Sequence, residues 1–148
     1  MKHKERLIEV CITLLVILFG YTALSKLLEY DKFIFQMRDS RLALMQAYAP
    51  VLAWLLPLIE LLIVVALYLP GWRKKGLWAA VILLGVFEVY ITGMMLSGLK
   101  LGCTCGGVVS GLSWKNHLFF NATFMFIGTV ALLGMYNRWP LRGGAGPA

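Results

Sequence analysis

Cys103 and Cys105 stand one residue apart in the stretch LKLGCTCGGVVSGLSWKNH, residues 99–117. Gly98, Gly102, Gly106, Gly107 and Gly111 surround them and leave the backbone open to another chain. Two thiols so placed read as a redox dithiol or as a soft-metal site. An internal disulfide is within reach of an i, i+2 pair, and its small ring would be strained. A strained disulfide is easily reduced, which suits a carrier better than a structural staple. Lys100, Lys115 and the amino end of the next helix supply positive potential that favours a thiolate. His117 can add to that field, shuttle the proton, or simply hydrogen-bond at the helix start. Cys103, Cys105 and His117 together also suit Cu(I) or Zn(II).

The third cysteine, Cys11, reads as a small packing residue near the opposite face, on the order of 20 Å from the pair. It is alone, so no second dithiol can relay electrons across a membrane. The cysteine pair then exchanges only with outside partners, or a lipid quinone accepts its electrons. Trp54, Phe87, Phe119, Phe120 and Phe124 are the candidate walls for such a quinone, although aromatics at those depths are more often packing or interface residues.

Three ionisable residues interrupt apolar runs: Lys26, Glu60 and Glu88. Charges in a bilayer are costly and pair or line a pathway. A Lys26–Glu60 pair is one reading, which leaves Glu88 in need of a partner or a proton; a Lys26 that snorkels to the interface is the other. Thr22 and Thr92, one turn from Lys26 and Glu88, are placed to orient them.

The elements that must position these groups are long and apolar. Of 148 residues 60% are hydrophobic and 14% charged, with a mean hydropathy of +0.79. Soluble domains run at about 45–50% apolar and about 25% charged. The expected fold is therefore an all-α integral membrane protein, a four-transmembrane-helix bundle with spans at about 7–28, 50–69, 77–96 and 117–135. The basic, apolar start also fits a signal peptide, but its apolar run is long and Ala23-Leu24-Ser25 is a poor cleavage site. Residues 29–49 are too long for a passive turn. Their alternation of apolar and charged groups predicts one or two short amphipathic helices, one capped by Ser40 with Leu42, Leu44, Met45 and Tyr48 on its apolar side. Residues 1–135 make a single domain, followed by a flexible Gly/Pro/Ala-rich tail, 136–148.

The net charge of +7 is not a nucleic-acid signature, because the basic residues flank the apolar runs. Lys2, Lys4, Arg6, Arg73, Lys74, Lys75, Arg138 and Arg142 lie on one side of the expected topology. That bias places both termini in the cytoplasm, the 29–49 connection outside, and the cysteine pair on the outer face of a bacterial inner membrane, where thiols can be oxidised.

Four spans, Gly20-Tyr21-Thr22-Ala23-Leu24-Ser25-Lys26 closing the first, a proline-containing second span with Glu60, and the Cys-Thr-Cys-Gly-Gly loop resemble the MauE/DoxX redox-associated membrane family. The resemblance runs from about Gly20 to Met135, and Lys26, Glu60, Cys103 and Cys105 are the matching positions. It implies a four-helix bundle linked to thiol–disulfide chemistry and, for the MauE branch, an extracytoplasmic thioredoxin-like partner and disulfide formation during methylamine dehydrogenase maturation. The DoxD branch is linked to thiosulfate and quinone. Nothing else in the chain points to methylamine, so that substrate is not transferred.

The reading is a membrane thiol–disulfide redox protein, with Cys103, Cys105, His117, Lys26, Glu60 and Glu88 as its site. It works in the lipid bilayer with a thioredoxin-like partner and, as candidate acceptor, quinone. A Cu(I)/Zn(II)-handling protein using the same cysteines and a non-catalytic membrane scaffold are the rivals.

Overall fold

A computed structural model describes residues 2–39, 42–98 and 114–136. Cys103, Cys105, Lys100, Ser40 and the tail beyond Tyr136 lie outside them. Five helices follow in order: α1 (Lys2–Leu28), α2 (Tyr30–Asp39), α3 (Ala43–Tyr68), α4 (Arg73–Leu96) and α5 (Trp114–Tyr136). Four of them, all but α2, are long and apolar enough to cross a membrane. At ~1.5 Å per residue each exceeds a hydrocarbon core of about 30 Å.

The described residues form one bundle, α1 packing on α3 and α5, and α4 on the same two. Glu9 near the start of α1 meets Arg73 at the start of α4, with Oε1 and Nη1 2.6 Å apart. Ile8 lies against Gly134 near the end of α5, and Gly76 of α4 against Ala66 and Leu67 of α3. The chain therefore runs up, down, up and down, with both ends of the described chain at one end of the bundle. The other end holds α2 and the helix ends joined by residues 99–113. Leu15, Phe19, Leu67, Leu77 and Ala131 fill the core. Large apolar side chains such as Ile17, Leu24, Val51, Trp54, Val89 and Phe126 point outward, as a lipid solvent requires.

The second span differs from expectation at its start. The helix does not begin at Pro50. It begins at Ala43 and carries Pro50 and Pro57 inside it. The stretch with Leu44, Met45 and Tyr48 is thus its first turns and not a separate capped helix. Proline removes one backbone donor and crowds the preceding turn, which breaks soluble helices but is tolerated where neighbouring helices pack around it. Ala49 and Ala53 are fully buried in that region, in a cluster with Phe33 and Met37 of α2. The other spans also start a few residues before their apolar runs, because basic and polar flanks extend a helix as readily as apolar residues do.

At the opposite end α3 stops at the Leu69 cap, whose N–H donates to Val65 O at 3.0 Å, and Trp72 N–H donates to Leu69 O at 3.0 Å. A Cβ on Gly76 would fall 2.9 Å from Leu67 N and 3.0 Å from Ala66 C, both backbone atoms that cannot turn aside. Gly76→Ala should therefore lower the melting temperature in detergent, by the equivalent of about 1–3 kcal/mol. Gly85→Ala, whose new methyl meets only Met125 Sδ at 3.9 Å, should not. Equal melting of the two variants would show that the α3–α4 approach is not close.

Candidate functional site

Lys26 is in the last turn of α1 and Glu60 is two-thirds along α3. In any α-helix the Cα–Cβ bond tilts toward the amino terminus. In antiparallel α1 and α3 the two side chains therefore lean toward each other. Lys26 Nζ donates to Glu60 Oε1 at 2.6 Å, with each side chain about 1% exposed. The ammonium also lies 6.0 Å from the Phe33 ring centre and 5.9 Å from that of Phe87, within cation–π range. Phe33 comes from α2 and Phe87 from α4, so four elements surround one charge pair.

Beside the pair is a cavity of about 20 Å³, lined by Leu18, Phe19, Thr22, Lys26, Glu60, Leu84, Phe87, His117, Phe120 and Asn121. That space suits a water-sized molecule and is far below what an aromatic ligand needs. His117, in the first turn of α5, is buried and turned into this cavity. Asn121, one turn further along α5, is 7% exposed, and its Nδ2 has no hydrogen-bond partner among the described residues. Thr22 lines the same space, but its hydroxyl donates to Phe19 O at 3.3 Å and not to the lysine or glutamate.

Of the residues singled out in the sequence, Lys26, Glu60 and His117 therefore come together. Glu88 stands apart from the cavity lining, half-buried on α4 and within electrostatic reach of His117. Cys103 and Cys105 lie outside the described residues. Cys11 is buried in the core among Ile8, Ile12 and Leu15. The five aromatics do not gather into one pocket. Phe87 and Phe120 line the cavity, Phe124 stacks near Phe120 at 4.8 Å, and Trp54 pairs with Tyr30 at 5.3 Å. Trp54 and Phe119 are 60% and 77% exposed. Among the described residues no three His, Cys, Asp or Glu side chains gather as a metal site. Asn121 was not anticipated. The available signal was its place four residues after His117, on the same face of an otherwise apolar helix.

The family model of methylamine utilisation protein MauE matches residues 4–135. The chain belongs to the MauE family, and with its four apolar helices it is a multi-pass membrane protein. This match bears on the MauE side of the resemblance and not on DoxX. No curated protein and no solved structure matches the chain.

Removing one partner of a buried ion pair leaves the other charged and desolvated, at about 3–5 kcal/mol. Lys26→Met and Glu60→Leu should each lower stability in detergent on that scale, and the double variant should lose clearly less than their sum. Additive losses in thermal or denaturant unfolding would mean that the two charges do not depend on each other.

Proposed function

We propose that this MauE-family membrane protein is a thiol–disulfide redox protein that exchanges electrons with a thioredoxin-like partner through Cys103 and Cys105. The observation that carries the reading is the position of the buried polar site. It lies toward the end of the bundle where α4 ends at Leu96 and α5 begins at Trp114, the two ends that the cysteine-bearing segment joins. His117 belongs to both, following that segment in sequence and facing the Lys26–Glu60 pair in space. Family membership supports a redox-associated role for such a protein.

The exchange needs only thiolate chemistry. A thiolate on Cys105 attacks a disulfide sulfur of the partner, forming a mixed disulfide and releasing one partner thiolate. Cys103 then attacks Cys105 Sγ, closing the loop disulfide and releasing the second partner thiolate. Two electrons pass from the loop to the partner, and the protons lost by the two loop thiols end on the partner's. The reverse sequence carries electrons the other way through the same intermediate. Cys105 is the attacking residue in this scheme because Gly106 and Gly107 leave its flank open. Both termini lie in the cytoplasm and the loop outside, on the distribution of basic residues.

Two measurements test this. Cys103→Ser should accumulate a reductant-sensitive covalent complex with a thioredoxin-like protein on non-reducing gels, and Cys105→Ser should not. The opposite pattern would exchange the roles of the two cysteines. Failure of both variants to trap a partner, together with stoichiometric Cu(I) or Zn(II) binding by the unaltered protein, would replace the redox reading with the metal one. An impermeant maleimide added to mildly reduced spheroplasts should label the loop and spare buried Cys11. Labelling of the loop only after lysis would reverse the orientation.

A further inference from the structure

Asn121 poses a question that the thiol chemistry does not answer. It is buried by more than nine-tenths, it faces the cavity, and its amide nitrogen has no partner among the described residues. A buried amide donor left unsatisfied costs about 1–3 kcal/mol. A cavity of about 20 Å³ with Thr22, Lys26, Glu60, His117 and Asn121 among its lining residues meets the size and partner needs of one water molecule. The walls offer that water more than Asn121. Glu60 gives one oxygen to Lys26, and a carboxylate has about four lone-pair sites, so it can accept a further bond. His117 faces the same space with an imidazole that both donates and accepts.

The charges around it do not cancel. Lys26 contributes +1, and Glu60 and Glu88 contribute −1 each. With His117 neutral the group carries −1 inside an apolar bundle, and one added proton brings it to zero. A neutral group is the favoured state where solvent is excluded. Among the described residues no other charge lines the cavity: α1 faces it with Lys26, α3 with Glu60 and α5 with His117, while Glu88 follows the lining residue Phe87 on α4. On α2 the Phe33 ring faces it while Asp31, Lys32, Arg38 and Asp39 are exposed. Tyr90 of α4 packs toward the Phe33 and Met37 cluster. Glu88 Oε2 is itself buried without a hydrogen-bond partner among the described residues, as fits a carboxyl group that holds a proton.

We infer that Lys26, Glu60 and His117 form a buried site around one water molecule, which Asn121 positions in the cavity, and that Glu88, next to the lining residue Phe87 in sequence, holds a proton. Asn121 Nδ2 donates to the water oxygen, and the water donates to the Glu60 carboxylate. The single extra proton resides on Glu88, whose buried Oε2 has no partner among the described residues. Asn121 is a positioning residue, since it neither gains nor loses the proton. None of this requires the cysteines to react, so the site stands or falls separately from the thiol reading.

Infrared spectroscopy of the full chain in nanodiscs reads both parts directly. The unaltered protein at neutral pH should show an O–H stretching band that shifts when H2(18)O replaces water, and a protonated-carboxyl C=O band that shifts in D2O. Asn121→Leu, close in volume, should abolish the water band while helix content and melting stay near those of the unaltered protein. Asn121→Ser keeps a polar group in a larger cavity and should retain a water band at a shifted position. It decides the matter if the leucine variant does not fold. Glu88→Gln should remove the carboxyl band and leave the water band in place. The inference is overturned if the unaltered protein lacks either band. It is equally overturned if the water band survives Asn121→Leu, is unmoved in Asn121→Ser, or the carboxyl band survives Glu88→Gln.

Discussion

The bundle is organised around a lysine ammonium and a carboxylate 2.6 Å apart in a place with almost no access to solvent. Such a pair constrains everything near it. α1 and α3 must run antiparallel at a fixed stagger for the two side chains to lean together. Aromatic faces from α2 and α4 must stand where they tolerate a cation, and Phe33 and Phe87 do. The ion pair at the other end imposes nothing comparable. Glu9 and Arg73 are 56% and 27% exposed, and a pair that wet is worth about 0–1 kcal/mol. There the register is held by shape: Gly76 admits the α3 backbone where a methyl group could not fit, and Gly134 lets the Ile8 side chain come close. One end is set by packing and the other by electrostatics.

This division explains what could be read from the chain. Lys26 and Glu60 were visible because a charge in a long apolar run is an anomaly that demands a partner, and Lys26 had few candidates. The four spans were visible for the complementary reason, an excess of apolar residues between short polar turns. Asn121 was hidden because a neutral amide in an apolar helix raises no such demand until its surroundings are known. Pro50 misled, since proline marks a helix start in water and only an interruption among packed membrane helices. The arrangement of the glycines at the terminal end was beyond the sequence too. Which glycine meets a backbone depends on the rotation of two helices, and their apolar faces are too uniform to reveal it.

The polar site and the cysteine segment also make opposite demands. The proposed thiol–disulfide exchange needs a segment that another protein can approach closely, and glycines stand on both sides of the cysteines in sequence. A buried charge pair needs the reverse, fixed partners and no water beyond what the site itself binds. In this chain the two are adjacent in sequence. Trp114 opens α5, and within its first turn the backbone passes from the cysteine segment to a buried histidine.

A buried ion pair is poor evidence of selection for stability. Replacing such a pair with apolar residues of similar volume is often neutral or stabilising. In a bundle already rich in leucine and phenylalanine that alternative is chemically close at hand. Instead, one layer of this protein holds a lysine, a glutamate, a histidine and an asparagine around one small cavity. Three of the four long helices contribute to it, and the remaining one, α4, brings Glu88 within electrostatic reach. Each of these groups costs desolvation, and none is needed to close a four-helix fold. Their concentration in one layer, toward the end from which the cysteine segment departs, is the strongest physical argument that this layer works and does not merely pack.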